Sequence, residues 1–546
     1  MAMRRTLNNW SVRVDAKRAA QIRAQGWWID ETIAEIAQRK AKVDPYALML
    51  VDGQRRLDAK TLFDEARCLA QAFISRGLKP GDVISIMLPN WHEAAVIYLG
   101  ATLAGVVVNL VLPSLRDSEL TFMFEDIDSK IVFVPSVFRT FDYVAMMRRV
   151  NATLSKPAEV VVVRGHGDGC TPYPTLLHQQ LSLDPLPRVD PDSVKLVLYT
   201  SGTTARPKGV MHSHNSINAL VRQLERNWVP SGVGRFFVPS PIGHIGGSIY
   251  AFEFPFLVGS VAVLQDVWNA DEAVSIMVRE RCTHMAGATP FLKQLLASAR
   301  LQGTRLPDLS LFICGGASVP PPLIREASAY FENCIVSRVF GSTEVPVITV
   351  GSLGKGDLHH AAESDGKIGI AQVKLVDPQG RIAEEGEVFA RGPQMLVGYI
   401  WTEHELESFD EEGFFKTGDI AKRIDGDYLV ITGRAKDIII RNGENISPKE
   451  IEDLLTEHPD IAEVAIVGIP NARTGERACA VIVPVESRAV DVNALQLFLE
   501  QRHVARFKIP EQVEIWDALP RNSLGKILKT EIRAQLLAAA QPMGVV

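Results

Sequence analysis

Residues Tyr199-Thr200-Ser201-Gly202-Thr203-Thr204-Ala205-Arg206-Pro207-Lys208-Gly209 gather small hydroxyls, two glycines and a lysine directly behind the apolar run Val194 to Leu198. A buried strand that empties into such a loop brings backbone N–H groups, hydroxyls and a cation to one point. That donor set is what a polyphosphate needs. Lys208 stands six residues after Gly202 and no hydroxyl follows it, so this is not the Gly-x4-Gly-Lys-Ser/Thr phosphate loop.

Five further segments carry residue types that suit the same ligand or its reaction. Val339-Phe340-Gly341-Ser342-Thr343-Glu344 sets a hydroxyl beside a lone carboxylate. Such a pair can hold Mg²⁺ against phosphate oxygens, because Mg²⁺ takes few protein oxygens and keeps several waters. Leu311–Ser318 reads as a core strand running into Gly315, Gly316 and Ala317, where missing side chains let a flat ring approach the backbone. In Lys416-Thr417-Gly418-Asp419 a carboxylate follows a turn glycine and can accept both hydroxyls of a ribose. Pro241-Ile242-Gly243-His244-Ile245-Gly246-Gly247 places one imidazole before two glycines that leave room beside it. Finally, Pro520-Arg521-Asn522-Ser523-Leu524-Gly525-Lys526 presents a lysine from a glycine-containing loop. Taken singly, each is equally a solvated turn or a structural residue.

Together and in their order along the chain, from about residue 199 to 526, the segments resemble the motifs of the acyl-adenylate-forming enzymes. These are the acyl-CoA synthetases, the luciferases and the adenylation domains of peptide synthetases. The resemblance implies that Thr200, Ser201, Gly202, Thr203, Thr204 and Lys208 bind the phosphates of ATP, with Thr203 also serving catalysis. It implies that Phe340 stacks on adenine beside Gly341, that Thr343 fixes the phosphate end and that Glu344 binds Mg²⁺. Gly315, Gly316 and Ala317 become the floor of the adenine and acyl pockets, and His244, Gly246, Gly247 and Gly315 line the acyl site. Asp419 and Arg434 take the ribose. Lys526 bridges the substrate carboxylate and the α-phosphate, where attack of one anion on another needs a cation. Ala435-Lys436-Asp437 matches the family hinge with Lys436 at its pivot, after which Gly443 and Glu444 line the tunnel for coenzyme A. Three positions depart from the family pattern: Ala205 replaces Gly, Phe340 replaces Tyr and Asn522 replaces Thr. The lysine of this motif is also an acetylation target in the family, so a lysine acetyltransferase acting on Lys526 is an implied partner.

The elements that must position these residues follow from pattern. Val83–Leu88, Val106–Leu110, Ile131–Val134, Glu159–Val163 and Leu196–Tyr199 read as short buried strands alternating with helices such as Glu93–Ala104. That alternation predicts an α/β fold of layered, mainly parallel sheets. Ala94 to Leu112 is uncharged and long enough to suggest a membrane span, but Gly105 divides it into a buried helix and a β-branched strand, so a soluble chain is expected. Beyond Tyr428 the texture becomes that of a small α+β unit. There Ser447-Pro448-Lys449-Glu450 has the residues of a capped helix start. The expected division is a large adenylation domain over 1–434, a hinge at 435–436 and a small mobile domain over 437–546.

Composition bounds the reading. The 546 residues suffice for two to four domains, and 47% apolar with 22% charged residues is globular. A net charge of −6 with no basic track disfavours a nucleic-acid partner. Six scattered cysteines without a CxxC pair, and a basic start with no apolar segment behind it, point to reduced thiols in the cytoplasm. The resemblance implies an ATP- and Mg²⁺-dependent ligation of a small carboxylic acid to CoA through an acyl-AMP intermediate. Within that family the sequence, including Gly-Glu-Asn-Ile-Ser-Pro after the hinge, resembles most the ligases of cyclohexanecarboxylate or short- and medium-chain acids, with benzoate-type acids as the alternative. Loading of a carrier protein and luciferase-like oxidation share the first half-reaction. The chain ends twenty residues after Lys526 without a fused carrier, which favours free CoA. Oligomeric state is left open.

Overall fold

The computed structural model describes residues 3–177, 186–200, 207–229, 234–316, 319–354, 356–442, 444–471, 473–485, 488, 490–502, 504–522 and 525–540. Two large sheets form its centre. One has eight strands in the order Thr171–Pro172, Glu159–Val163, Ile131–Pro135, Val83–Ile86, Val107–Leu110, Val194–Thr200, Lys208–Ser213 and Gly398–Tyr399. The first six run parallel and the last two antiparallel. The other has seven strands, Ile335–Arg338, Leu311–Cys314, His284–Gly287, Arg235–Val238, Val261–Leu264, Leu48–Asp52 and Arg55–Asp58, of which only the last is antiparallel to its neighbour. Val83–Ile86, Val107–Leu110, Val261–Leu264 and Leu311–Cys314 are buried at every residue; all are apolar except Ser85 and Asn109, which bond to each other, Asn109 Nδ2 donating to Ser85 Oγ at 2.9 Å.

The uncharged stretch 94–112 is resolved as expected. Helix His92–Ala104 is buried all round and ends at Gly105 in the left-handed region, φ +70°; Val107–Leu110 then enters the eight-stranded sheet. A Cβ on Gly100 would stand 2.8 Å from Leu69 Cβ, so glycine here lets this helix lie close against helix Ala59–Ser75. Among the described residues no helix is long and apolar enough to cross a membrane. All six cysteines are free, four of them buried.

A five-stranded antiparallel sheet follows: Ile382–Ala383, Gln372–Val376, Glu385–Arg391, Phe415–Ile424 and Tyr428–Arg434. The small C-terminal part pairs Glu444–Ile446, Ile439–Arg441, Gly475–Pro484 and Ile461–Asn471, with Gln512–Ile515 parallel to Gly475–Pro484. The two short strands on either side of the seam thus belong to different sheets. Helix Pro448–Leu455 starts where its sequence says, yet Ser447 does not cap it: its hydroxyl donates instead to the Thr432 carbonyl across the seam. A bond between parts of the molecule has displaced the local capping bond. The basic N-terminus forms a hairpin, Met3–Leu7 with Trp10–Val14, fastened by Trp10 Nε1 to Gly81 O at 2.8 Å and by Arg13 N to Val397 O at 2.8 Å.

Candidate active site

Strand Val194–Thr200 and its antiparallel partner Lys208–Ser213 close on the pair Thr200–Lys208. Ser201, Gly202, Thr203 and Thr204 lie outside the described residues, as do Ala317 and Gly443. Thr200 Oγ1 reaches the Lys208 carbonyl at 3.5 Å. Lys208 Nζ stands 5.5 Å from the centroid of the Tyr399 ring, within the range of a cation–π contact.

Segment 339–344 follows strand Ile335–Arg338, which runs beside Leu311–Cys314. The shared edge brings the two glycine segments together. A Cβ on Gly315 would lie 2.8 Å from the Val339 carbonyl oxygen, and Gly316 adopts φ +81° with no described residue within 4 Å of a Cβ there. Gly341 is required for a second reason, because a Cβ there would stand 2.4 Å from Val347 N. Phe340 is half-buried and its N–H donates to Thr349 Oγ1 at 2.8 Å. The Thr343 carbonyl accepts from His212 Nε2 at 2.8 Å; His212 is fully buried, and burial pushes its imidazole down to about 4. That bond defines the neutral tautomer with its proton on Nε2. Glu344 Oε1 accepts from the Tyr399 hydroxyl at 3.0 Å, and among the described residues no hydrogen bond reaches Oε2.

His244 opens the short helical turn Ile245–Ser248, which continues as a π-helical turn Ile249–Glu253 and the turn Phe254–Leu257. Its Nε2 is buried with no hydrogen-bond partner among the described residues, and burial lowers the imidazole to about 4, so the ring is neutral at ordinary pH. The two glycines differ. Among the described residues nothing lies within 4 Å of a Cβ placed on Gly246, whereas one on Gly247 would stand 2.2 Å from the Pro241 carbonyl oxygen. Gly246→Ala is therefore expected to keep the thermal midpoint while shifting preference toward smaller acids. Gly247→Ala should lower the midpoint and the activity on every acid. Equal midpoints for the two variants would contradict this steric assignment.

Asp419 and Arg434 are register neighbours on adjacent strands and form an ion pair, Nε to Oδ1 2.8 Å. Gly418 does not form the expected turn: at φ +74° it lies within strand Phe415–Ile424, where the register to Glu385–Arg391 shifts between Glu387 and Phe389. Asp419 is 7% exposed, and burial pushes its carboxyl up against the opposing pull of Arg434 and then Lys526. Lys526, from the other side of the seam, is thus coupled to this pair. Burial, then the neighbouring Arg434 charge, brings its ammonium down to about 8, with Asp419 and Asp437 opposing. The loop that carries it is closed by Asn522, whose Oδ1 accepts from Lys526 N at 2.9 Å and whose N–H donates to Lys526 O at 2.9 Å. Asn in place of Thr therefore has a structural task. Gly525, φ +79°, lets this loop lie against the large part: a Cβ would stand 3.0 Å from Pro290 Cγ.

Lys436 sits in the turn between the sheets, where Ala435 N donates to Gly418 O and Asp437 N to Arg434 O. Glu444 is exposed on the hairpin opposite Arg441, with no hydrogen bond or ion pair to Asp419, Arg434 or Lys526. His212 and Tyr399 escaped the sequence reading, since each acts on residues more than fifty positions away. Asp52, His92 and Glu93 have metal-like spacing, but Arg164 bonds to both carboxylates and already supplies a cation there.

Comparison with known proteins shows the family. The family model described as AMP-binding enzyme matches residues 37–400, and that of the AMP-binding enzyme C-terminal domain matches 450–526. The chain belongs to the AMP-binding enzyme family. Within this acyl-adenylate-forming group, it is 33% identical to a medium-chain fatty-acid–CoA ligase of Escherichia coli, over 95% of this chain and 93% of that one. It is 30% identical to an indoleacetate–CoA ligase of Aromatoleum aromaticum, covering 93% and 98%. It is also 27% identical to a 2,3-dihydroxybenzoate-AMP ligase of Bacillus subtilis, covering 94% and 95%. Among solved structures, ATP-bound MatB of Rhodopseudomonas palustris superposes with a TM-score of 0.83 at 26% identity, covering 93% of this chain and 100% of that one.

Proposed function

We propose that this member of the family is an ATP-dependent carboxylic acid–CoA ligase acting on short- or medium-chain or alicyclic acids, cyclohexanecarboxylate among them. In the first step a carboxylate oxygen bonds to the α-phosphorus of ATP and the bond to pyrophosphate breaks. In the second, the CoA sulfur bonds to the acyl carbon and AMP leaves with the electron pair of the acyl–oxygen bond. The observation that carries the reading is the group formed by Asp419, Arg434 and Lys526 at the seam between the two parts. Asp419 is positioned for a ribose, Lys526 for the meeting of two anions. In this arrangement the small part presents its adenylation face, and a rotation at 435–436 of residues 437–546 against 1–434 would exchange it.

Glu344 fits Mg²⁺ delivered with the triphosphate: one carboxylate, half-buried, with Oε1 oriented by Tyr399 and Oε2 free of hydrogen bonds among the described residues. When bound, the ion neutralises charge on the phosphates. Lys208 and the loop before it add a cation and donors, and Phe340 offers its ring face to adenine. His244, neutral, borders the acyl end, where Gly246 leaves space. Free thiols support a reducing compartment such as the cytoplasm.

The test is thioester formation with Mg·ATP and CoA over straight-chain, cyclohexane and benzoic acids. Thioester from the aliphatic or alicyclic members is expected. Acid-dependent pyrophosphate release without thioester would overturn the CoA assignment and indicate a carrier protein or another acceptor.

A further inference from the structure

Gly398–Tyr399 is the edge strand of the eight-stranded sheet, paired to Met211 and Val210 of the strand that begins with Lys208. Tyr399 is 2% exposed. Its hydroxyl donates to Glu344 Oε1 at 3.0 Å, and Lys208 Nζ stands 5.5 Å from the centroid of its ring. A single buried side chain therefore touches the carboxylate from one motif and the lysine from another. Neither partner lies near it in sequence, at separations of 55 and 191 residues.

Tyr399 is itself held on its far side. Its backbone N–H donates to Glu405 Oε1 at 3.0 Å, while Glu405 Oε2 takes Arg4 at 2.7 Å and Arg13 at 3.0 Å from the N-terminal hairpin. Arg13 also lies 3.6 Å over the Phe409 ring, and its N–H bonds to Val397 O. The hairpin thus clamps the segment that carries Tyr399. A phenol in van der Waals packing alone would leave its hydroxyl to any acceptor. Here the acceptor is the one carboxylate of segment 339–344, and the hydrogen bond leaves Oε2 as the oxygen available to a cation.

We propose that Tyr399 is the positioning residue for the Mg·triphosphate site, fixing the Glu344 carboxylate by its hydroxyl and the Lys208 ammonium by its ring. This rests on the nucleotide role given above to Glu344 and Lys208. Orienting a carboxylate before the ligand arrives removes a reorganisation step from binding. The effect should depend on the metal, because the hydroxyl acts on the ligand only through Glu344.

The experiment is calorimetric ATP binding to the full chain, in excess Mg²⁺ and in EDTA, for wild type, Tyr399→Phe, Glu344→Gln and the double variant. Phe keeps the buried ring and removes only the hydroxyl. Loss of a hydrogen bond to a charged group predicts that Mg²⁺-dependent tightening of ATP binding falls about tenfold in Tyr399→Phe. Affinity in EDTA should stay within about twofold, since the hydroxyl reaches ATP only through the metal ligand. The double variant should be no weaker than Glu344→Gln alone, because both changes remove one interaction. Equal loss with and without Mg²⁺, additive losses in the double variant, or no loss at all would each overturn the proposal. A Glu344→Gln variant with unaltered Mg²⁺ dependence would instead refute the metal role of Glu344. Absence of ATP binding by wild type would refute the functional reading itself.

Discussion

Lys526→Ala should slow formation of the acyl-adenylate by roughly 10²- to 10³-fold, the usual cost of losing one donor aimed at developing charge. Conversion of preformed acyl-AMP and CoA to thioester should change little, because Lys526 faces the Asp419–Arg434 pair rather than the Glu444 hairpin in this arrangement. The pH dependence adds a second check. The active form is the ammonium, and burial with the adjacent Arg434 charge holds its pKa at about 8. Its proton is lost as pH rises through that value, so kcat/KM for adenylation should fall on the alkaline side of about pH 8. Lys526→Arg keeps the charge and should abolish that limb even if its rate is lower. Acid-dependent pyrophosphate exchange measured from pH 6 to 10 reads both. A profile flat to pH 10 in wild type, or an alanine variant with unchanged exchange, would remove Lys526 from the step. Acetylation of the same amine would discharge it and should mimic the alanine variant.

Glu253→Ala should destabilise the protein by about 3–5 kcal/mol, the cost of stranding a buried charge. Lys195 and Glu253 are each 1% exposed on their side chains and pair inside the core, with the Tyr98 hydroxyl donating to Glu253 Oε1 at 2.6 Å. Burial pulls the Lys195 ammonium down while Glu253 opposes, so removal of the carboxylate leaves the lysine no partner for its proton. Lys195 lies on the strand that becomes the phosphate loop, and Glu253 closes the π-helical turn that follows His244. The pair therefore bolts the two halves of the site together. Neutral Lys195→Met/Glu253→Gln should recover most of the loss, because no unpaired charge remains and Gln still accepts from Tyr98. Urea unfolding of wild type and the two variants measures this. A single Glu253→Ala variant within about 0.5 kcal/mol of wild type would show that the buried charge is not uncompensated.

Much of the site was legible because its residues sit in short local segments. The 199–209 loop, Gly315–Gly316, Phe340–Glu344, Asp419 and Lys526 each stand beside or among glycines in a short segment, and their chain order aligned them with a family. Alternation of buried strands and helices likewise announced the layered sheets, and Gly105 explained the uncharged stretch 94–112. The departures were those where distant partners compete with neighbours. Ser447 has the sequence of a helix cap, yet its hydroxyl donates to the Thr432 carbonyl across the seam and its oxygen accepts no helix N–H.

Sequence by itself therefore determined the class of ligand, the order of the motifs and the two-part organisation, since these rest on residue types at short spacing. The tertiary structure alone decided which side chains hold those motifs in place. His212 on the Thr343 carbonyl, Tyr399 on Glu344, Lys195 against Glu253 and the Arg4–Arg13 clamp on Glu405 each join residues far apart in the chain. A hydrogen bond or ion pair forms where folding brings donor and acceptor within about 3 Å, and no local pattern encodes that meeting.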